Sequence, residues 1–396
     1  MSEPAEPIRT VASPIPTSGA RWRKVHLDFH NSQHVDSIGD RFDPESFIST
    51  LREARVDSIV LFAKDMHGFA YYPSRHAPVH PGLRFDLLGR QVEACRAAGI
   101  ETSAYICTLW DHRLAFERPE WLSVRRDGST YLPGPDETPG WTALCASNQD
   151  LVDWQAALVQ EVLDRYPVDG IWLDMPIPRD GECFCEKCRN AMADPYDVGE
   201  QRRFQQSLHI GFLNAIRDAA KAVRPNVQVD FNNQPAFGLP GRIAAMDNVD
   251  IEALPTSQWG YEYYPALARY LRTMPRTFYG MTGRFHKGWG DFGGVKSPAQ
   301  LEAECFQIVA LGGRCDVGDQ MPPNGILAIG AAYREIERIE AVLEGASPVA
   351  EAVVVAEGLP LDSVATPSLS GLVKVLAELN LQFDVMESGQ DPSGYS

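Results

Sequence analysis

Carboxylic acids at the ends of predicted β-strands are the residues of this 396-residue chain that could carry out catalysis. Asp174 lies in the run VDGIWLDM at 168–175, and Glu252 lies in the run DIEALP at 250–255. Hydrolysis of a glycosidic bond needs one carboxylate as nucleophile and a second carboxyl group as acid and base. We therefore predict Asp174 as the nucleophile and Glu252 as the acid/base. A strand-end carboxylate can also cap a helix or pair with an Arg, and other candidates for the acid role are Asp65, Asp111, Asp230 and Asp319.

Polar and aromatic side chains near the other predicted strand ends are candidate contacts for a sugar. Lys64 and His67 could donate hydrogen bonds to hydroxyl groups, and a nearby Lys favours the ionised form of a carboxylate. Tryptophans in loops could stack on the C–H face of a sugar ring, although core packing and ion pairs would explain any one of these residues. The candidate substrate contacts are Asp28, His30, Lys64, Asp65, His67, Trp110, Asp111, Trp172, Asn232, Trp259, Arg284, His286, Trp289 and Gln320.

A cluster of cysteines predicts a metal site. Cys183, Cys185 and Cys188 have a C-x-C-x2-C spacing, and Cys145 precedes a predicted helix in the loop after strand three. Four thiolates form a closed tetrahedral site of the kind that holds structural Zn²⁺. We predict that these four residues bind one structural zinc ion, and we predict no organic cofactor. The alternatives are unpaired surface cysteines or redox disulfides, and the other four cysteines have the pattern of core residues.

These residues must be positioned by a larger framework, and strands alternating with helices predict a (β/α)8 barrel. In such a barrel the catalytic groups lie at the carboxyl ends of the strands. A buried polar group without a partner is costly, so polar ends on every strand indicate a polar ligand. The predicted strands are 23–30, 58–64, 101–110, 169–174, 227–232, 250–254, 276–283 and 314–319.

Capping residues mark the starts of two helices. Asp43 precedes Pro44, and Ser297 precedes Pro298, so each pair places a cap before a proline in the first helical position. The predicted helices are 44–54, 86–98, 149–165, 200–223, 263–273, 298–311 and 331–343.

The chain divides into three predicted regions. Residues 1–21 form a flexible leader, 22–346 the barrel, and 347–396 the start of a C-terminal α/β domain. The βαβ unit at 351–387 is too short to cover its own sheet. We therefore expect a larger, incompletely covered second domain, and an oligomer, a dimer or a trimer, in which a partner covers the exposed faces.

Composition excludes several classes of function. The chain has 36 Lys and Arg against 53 Asp and Glu, a net charge of −17, which disfavours nucleic-acid and anionic-membrane partners. The leader lacks the apolar segment of a signal peptide, so we expect a cytoplasmic protein. The sequence has no strand-linked GxGxxG, no Walker A motif and no G-x-S-x-G elbow, which disfavours nucleotide chemistry and serine hydrolysis.

The strand motifs resemble those of α-L-fucosidase-like (family 29) glycoside hydrolases, and most closely the group described as hypothetical glycosyl hydrolase 6, within the alpha-amylase-family-like group. The stretch FAKDMHGFAYYPS at 62–74 is similar to their AK-x-HDGF stretch, with His67, Gly68 and Phe69 as the matching part; Met66 and Gly68 flank His67, so the pattern is only partly kept. VDGIWLDM resembles the strand-four motif whose terminal Asp is the nucleophile, which implies that role for Asp174. No family motif implies the role of Glu252.

The cysteine spacing resembles the zinc site of family-42 β-galactosidases, which implies Cys145, Cys183, Cys185 and Cys188 as its ligands. The strand-four catalytic Glu of that family has no counterpart here, because Asp174 occupies the strand end. The unit at 351–387 is similar to the start of the trimerisation domain of those enzymes, which has a glutamine-amidotransferase-like fold. Together these resemblances cover about 22–387.

A retaining glycosidase with a carbohydrate substrate is therefore our main hypothesis. Two alternatives from other classes are a sugar-binding barrel without catalytic activity and a sugar isomerase or lyase that uses His67, Lys64 and a bound metal. The sequence does not distinguish the sugar, its anomer, or exo from endo action.

Overall fold

Eight parallel strands close into a barrel in the computed structural model, with neighbours paired in sequence order from β1 to β8. This confirms the predicted (β/α)8 fold. The structure describes residues 21–130, 142–176, 181–232, 240–257, 259–289, 291, 294–319, 323–356, 367–393 and 395. The predicted leader lies outside these residues, except for Arg21. The barrel strands are β1 (Arg23–Leu27), β2 (Ser58–Lys64), β3 (Glu101–Cys107), β4 (Gly170–Asp174), β5 (Gln228–Asn232), β6 (Asn248–Glu252), β7 (Thr277–Gly283) and β8 (Arg314–Asp319).

Helices follow the strands and cover the barrel. Asp43 accepts a hydrogen bond from the backbone N–H of Ser46, and Ser297 accepts one from that of Gln300, so the predicted caps of α1 and α9 are present. The described helices are α1 (Pro44–Glu53), α2 (Leu87–Ala98), α3 (His112–Glu117), α4 (Gln149–Arg165), α5 (Glu186–Ala191), α6 (Val198–Val223), α7 (Pro240–Ala244), α8 (Tyr263–Leu271), α9 (Pro298–Ala310), α10 (Pro323–Leu343) and α11 (Pro367–Glu378), with a 3₁₀ turn at Pro119–Trp121.

Some element boundaries differ from the prediction. β1 ends at Leu27 instead of residue 30, and β3 ends at Cys107 instead of residue 110. The pairing of β1 stops at His26 on the β2 side and at Leu27 on the β8 side, so residues 28–30 leave the sheet. α10 starts at Pro323, earlier than predicted, and α3, α5 and α7 were not predicted. Helices of five or six residues are too short to show a helical period.

The barrel interior contains charged side chains below its mouth. The Nζ of Lys24 lies 3.1 Å from Asp250 and 3.9 Å from Asp316, and 3.4 Å from the ring centroid of Tyr279. Buried charges are tolerated when they are paired in this way. Asp250 precedes Glu252 by two residues on β6, so it places negative charge one layer below that carboxyl group.

The C-terminal strands β9 (Ala352–Ala356) and β10 (Phe383–Glu387) form a two-stranded parallel sheet beside the barrel. Arg272, next to α8, forms an ion pair with Asp384, and the guanidinium of Arg269 lies 4.3 Å from the ring centroid of Phe383. The sheet is therefore anchored to α8. Among the residues that the structure describes, no helix is both long and apolar enough to cross a membrane.

Candidate active site

Three neighbouring strands end in the residues at the centre of the site. Asp174, Asn232 and Glu252 are the last residues of β4, β5 and β6. The Nδ2 of Asn232 donates to Oδ1 of Asp174 and to Oε2 of Glu252, each at 2.8 Å. Both oxygens contact one nitrogen, so they are no farther apart than twice that distance. The two predicted catalytic residues are thus brought together.

A chain of hydrogen bonds with a defined direction reaches Asp174 from the opposite side of the mouth. The backbone N–H of Met66 donates to Nδ1 of His30 at 3.3 Å, which leaves the proton of a neutral imidazole on Nε2. Nε2 lies 3.3 Å from the hydroxyl of Tyr105, and that hydroxyl donates to Oδ2 of Asp174 at 2.5 Å. Burial lowers the pKa of His30 to about 4, so its imidazole is neutral at pH 7.

The ring of Tyr105 is held in place by other aromatic rings. It stacks on Phe62 with the centroids 3.7 Å apart and on Trp172 with the centroids 5.5 Å apart. Burial, and then the charge of Asp174, raise the pKa of Tyr105, so the phenol keeps its proton and donates. Asp174 therefore accepts from two fixed donors, Tyr105 and Asn232, as a nucleophilic carboxylate would.

Glu252 lies in a different environment. Besides Asn232, it accepts a hydrogen bond from Nε1 of Trp289 at 2.7 Å. Burial raises the pKa of Glu252 to about 7, and the charge of Asp174 adds to this effect, whereas the hydrogen bonds from Asn232 and Trp289 oppose it. Each carboxyl group accepts two hydrogen bonds, and burial leaves Glu252 able to exchange a proton near neutral pH. A carboxyl group with a raised pKa beside a second carboxyl group is an arrangement that can separate an acid from a nucleophile.

Three predicted sugar contacts at the ends of β2 and β3 are fully buried. The Nζ of Lys64 lies 2.6 Å from Oδ2 of Asp111, and both side chains have no exposed surface. Asp65 accepts from the backbone N–H groups of Gly68 and Phe69. The structure therefore places these charges under the loops that follow the strands and does not bring them to the open mouth.

The other predicted contacts are distributed around the mouth. His30 Nε2 lies 3.5 Å from Asp28, and its ring lies 6.4 Å from that of His67. Trp172 points down the barrel, where its Nε1 donates to Asp250 at 3.1 Å. Trp110 follows β3, and its carbonyl accepts from the thiol of Cys107.

The loop after β7 contributes unequally to the site. Trp289 contacts Glu252, but His286 is exposed and lies 3.1 Å from the carbonyl of Val295. Arg284 is fully buried and donates to the carbonyl of Gly294 at 2.9 Å. Trp259 lies before α8, with its ring 6.5 Å from that of Tyr263. The predicted contact Gln320 lies outside the described residues.

Sequence reasoning missed Tyr105 as a functional residue. It lies two positions before Cys107 on β3, in the run ETSAYIC, which has the pattern of an ordinary buried strand. The pairing of β3 with β4 places Tyr105 beside Trp172, one step below Asp174. The one signal in the sequence that could have identified Tyr105 is that β4, the neighbouring strand, ends in a carboxylate, Asp174.

The four predicted metal ligands lie together. All four cysteines are buried, and their sulfur atoms lie within 4.8 Å of one another. Sγ of Cys145 is 3.5 Å from that of Cys188 and 3.8 Å from that of Cys185. Tetrahedral Zn–S bonds of ~2.3 Å imply sulfur separations of about 3.8 Å, so the cluster fits a zinc ion. Backbone N–H groups of Val124 and Cys185 point at Sγ of Cys183, both at 3.5 Å, an outer shell suited to a thiolate.

A closed parallel barrel with two adjacent carboxyl groups at its carboxyl-end mouth has the architecture of many glycoside hydrolases. Comparison with known proteins agrees with this class. Residues 43–175 match the family model described as Hypothetical glycosyl hydrolase 6. None of the curated proteins matches this chain.

The structure is similar to that of α-L-fucosidase isoenzyme 2 from Paenibacillus thiaminolyticus, at 34% sequence identity and a TM-score of 0.89. The match covers 95% of this chain and 59% of the fucosidase, so the chain spans less than two thirds of that protein. The predicted resemblance to fucosidases and to the hypothetical glycosyl hydrolase 6 group is confirmed.

β-Galactosidases share the fold at lower identity. The enzyme from Rahnella sp. R3 matches at 14% identity and a TM-score of 0.71, over 97% of this chain and 68% of that one. The enzyme from Bacillus circulans sp. alkalophilus matches at 14% identity and a TM-score of 0.67, over 95% and 66%.

Proposed function

We propose that this protein is a retaining glycosidase with Asp174 as nucleophile and Glu252 as acid/base. The observation that carries the proposal is the single amide nitrogen of Asn232, which lies 2.8 Å from an oxygen of each carboxyl group. Carboxyl groups of retaining enzymes lie ~5–5.5 Å apart, whereas inverting enzymes need roughly 6.5–9.5 Å to admit a water molecule. The limit set by Asn232 favours the retaining class.

The first chemical step breaks the glycosidic bond. A carboxylate oxygen of Asp174 attacks the anomeric carbon, the bond from that carbon to the leaving oxygen breaks, and the leaving oxygen takes the proton of Glu252. In the second step Glu252 accepts a proton from water, the resulting hydroxide attacks the anomeric carbon, and the ester bond to Asp174 breaks. The product keeps the anomeric configuration of the substrate.

The electrostatics of the pair suit both steps. The negative charge of Asp174 contributes to the raised pKa of Glu252, about 7, so Glu252 can enter the first step protonated. Formation of the glycosyl ester removes that charge from Asp174. The pKa of Glu252 then falls, which favours the carboxylate needed as base in the second step.

An α-L-fucoside is the first substrate to test, because the fucosidase from Paenibacillus thiaminolyticus is 34% identical. A β-D-galactoside is the second, since β-galactosidases share the fold. We further propose that Cys145, Cys183, Cys185 and Cys188 hold a structural Zn²⁺. With four protein ligands no coordination position is left for a catalytic water, so the ion would stabilise the loops after β3 and β4 without entering the reaction.

A panel of nitrophenyl glycosides tests the proposal. We expect the wild type to hydrolyse at least one of them and Asp174→Asn to lose that activity by several orders of magnitude. Asp218→Asn, an exposed substitution on α6, is the matched control and should leave turnover unchanged. Unchanged turnover by Asp174→Asn would exclude it as the nucleophile. Loss of activity in chelator without loss of fold would favour the metal-dependent alternative.

A further inference from the structure

A cavity of about 620 Å³ lies between the loops that follow β1, β2 and β3. Neither Asp174 nor Glu252 lines it, although it includes His67, one of the predicted substrate contacts. His67, Phe69, Val79, His112 and Phe116 are among its lining residues. Its volume falls within the roughly 300–1,000 Å³ of small-molecule sites.

The cavity has an apolar wall and a polar wall. Phe69 is buried, whereas Phe116 on α3 exposes 49% of its surface. His67 and His112 supply ring nitrogens, and Nδ1 of His67 is buried without a hydrogen-bond partner among the residues that the structure describes. A pyranose ring has the matching features, a C–H face for an aromatic ring and hydroxyl groups for polar atoms.

The charges around the cavity favour a neutral ligand. Burial lowers the pKa of His67 to about 4 and also lowers the pKa of His112, so both imidazoles are uncharged at pH 7. Arg113, the cation that lines the cavity, lies 2.7 Å from Glu117 on the same helix. Among the described residues that line the cavity, no cation is without a carboxylate partner, which disfavours an acidic or sulfated sugar as the ligand.

The loop after β2 and the loop after β3, which both line the cavity, contact each other closely. Gly68 has φ of 96°, and a Cβ atom in its place would lie 2.6 Å from Asp111 and 2.7 Å from Arg113. The backbone N–H of His112 donates to the carbonyl of Met66 at 3.0 Å. A preformed cavity avoids the entropic cost of ordering loops on binding.

The cavity is also close to the catalytic centre. The ring of His67 lies 6.4 Å from that of His30, which reaches Asp174 through the hydroxyl of Tyr105. Met66, next to His67, donates its backbone N–H to His30. A saccharide bound at Asp174 could therefore place its neighbouring sugar in the cavity.

We propose that this cavity is a second saccharide subsite and that the substrate is a neutral oligosaccharide, with one sugar at Asp174 and another against Phe116. This proposal rests on the glycosidase function proposed above. It adds a substrate class, because a simple glycoside would leave the second subsite empty.

The test compares kcat/KM for one aryl monosaccharide and two saccharides carrying the same scissile sugar, extended on the leaving-group side or on the opposite side. Each substrate is compared with itself between enzymes, so differences in leaving group cancel. Phe116→Ala should lower kcat/KM for one of the extended substrates by about three- to tenfold relative to the wild type, the contribution of one aromatic contact. The same variant should leave turnover of the monosaccharide unchanged, and Phe116→Tyr should behave like the wild type. The matched control is Tyr196→Ala, which truncates another half-exposed aromatic residue.

Two results would overturn the subsite. One is an unchanged kcat/KM of Phe116→Ala for both extended substrates, and the other is an equal loss in Tyr196→Ala. If the wild type hydrolyses none of the substrates, the glycosidase proposal fails, and calorimetric titration with the extended saccharides still decides the subsite. Weaker binding to Phe116→Ala than to Tyr196→Ala would support it, and equal binding would contradict it.

Discussion

Asn232 determines how the two carboxyl groups act on each other. Its amide nitrogen donates a hydrogen bond to each carboxyl group, so it holds the two groups close together. At this separation the charge of Asp174 contributes to the raised pKa of Glu252. The amide of Asn232 can neither act as the general acid nor attack the anomeric carbon in glycoside hydrolysis. In the proposed mechanism its role is positioning, and the two carboxyl groups differ in their other contacts, Tyr105 for Asp174 and Trp289 for Glu252.

The pKa of Glu252 predicts the upper limit of the pH profile. Because the general acid must be protonated and its pKa is about 7, kcat/KM should fall as pH rises through about 7. Glu252→Gln should remove this decline and slow substrates with poor leaving groups by about 10²–10⁴-fold, the usual contribution of acid catalysis. Substrates with good leaving groups should be slowed much less. A decline at the same pH in Glu252→Gln would contradict the assignment.

Tyr105→Phe tests the hydrogen-bond chain to Asp174. Loss of a hydrogen bond to a charged group costs about 1.5–3 kcal/mol, so we expect kcat to fall by about 10- to 100-fold with little change in KM. Tyr166→Phe, which removes a hydroxyl bonded to Asp86 away from the site, is the control and should leave kcat unchanged. A change in KM alone would contradict a role at Asp174.

Sequence patterns predicted the candidate pair, Asp174 and Glu252, more easily than its environment. Asp174 and Glu252 were predicted because strand ends in a barrel converge, and that needs only periodicity. The donor direction from His30 through Tyr105 depends on a backbone contact of Met66, which no spacing encodes. Lys64 could not be predicted as buried, since the partner that neutralises it belongs to the loop after another strand.

At the scale of the elements, the loops after β2 and β3 hold the site together. Lys64 ends β2, and its partner Asp111 caps α3 by accepting from the backbone N–H of Leu114 at 2.7 Å. Asp65 organises the turn that brings Gly68 against Asp111. The buried charges therefore join one loop to the next and support the mouth from below.

Gly68→Ala should destabilise the protein. A residue other than Gly at φ of 96° is strained by about 1–3 kcal/mol, and here the new methyl group would also meet Asp111 and Arg113. Gly128→Ala is a matched control, because Gly128 has φ of 84° but no atom within 4 Å of the added Cβ. Urea unfolding should show the larger loss for Gly68→Ala, and equal losses would contradict the close packing of the loops.

The alternation of strands and helices was enough to predict the eight barrel strands, and caps such as Asp43 before α1 and Ser297 before α9 marked two of the helix starts. Their ends were harder to predict. Pairing of β1 with β2 stops at His26. The alternation of polar and apolar residues nevertheless continues through Asp28, Phe29 and His30, so the sequence pattern extends past the end of the strand. The short helices α3, α5 and α7 depend on loop contacts and caps that appear only in three dimensions.

At the scale of the whole molecule, the cysteine cluster joins the loop after β3 to the loop after β4. Cys145 precedes α4, and Cys188 lies on α5. A zinc ion bound by all four thiolates would link these loops near the strand that ends in Asp174. Such a link would contribute to stability because the unfolded chain does not hold a preformed site, so the free energy of zinc binding adds to that of folding.

Metal analysis should give one zinc ion per chain. Cys185→Ser, or removal of the metal by a chelator, should lower Tm by several degrees, since structural zinc contributes folding free energy. Cys95→Ala, a buried cysteine outside the cluster, is the control for loss of a thiol and should bind zinc normally. Well under one zinc per chain in reducing buffer, or an unaltered Tm for Cys185→Ser, would contradict the proposed site.

The most direct test of the account is azide rescue of Asp174→Gly on an aryl glycoside that the wild type hydrolyses. Removal of the carboxylate leaves space at the position of the nucleophile, and Asn232 and Glu252 remain. We predict that azide restores turnover and yields a glycosyl azide of inverted anomeric configuration, identified by NMR. The assignment of Asp174 as the nucleophile would be contradicted if azide did not rescue Asp174→Gly but did rescue a Gly variant of another carboxylate residue.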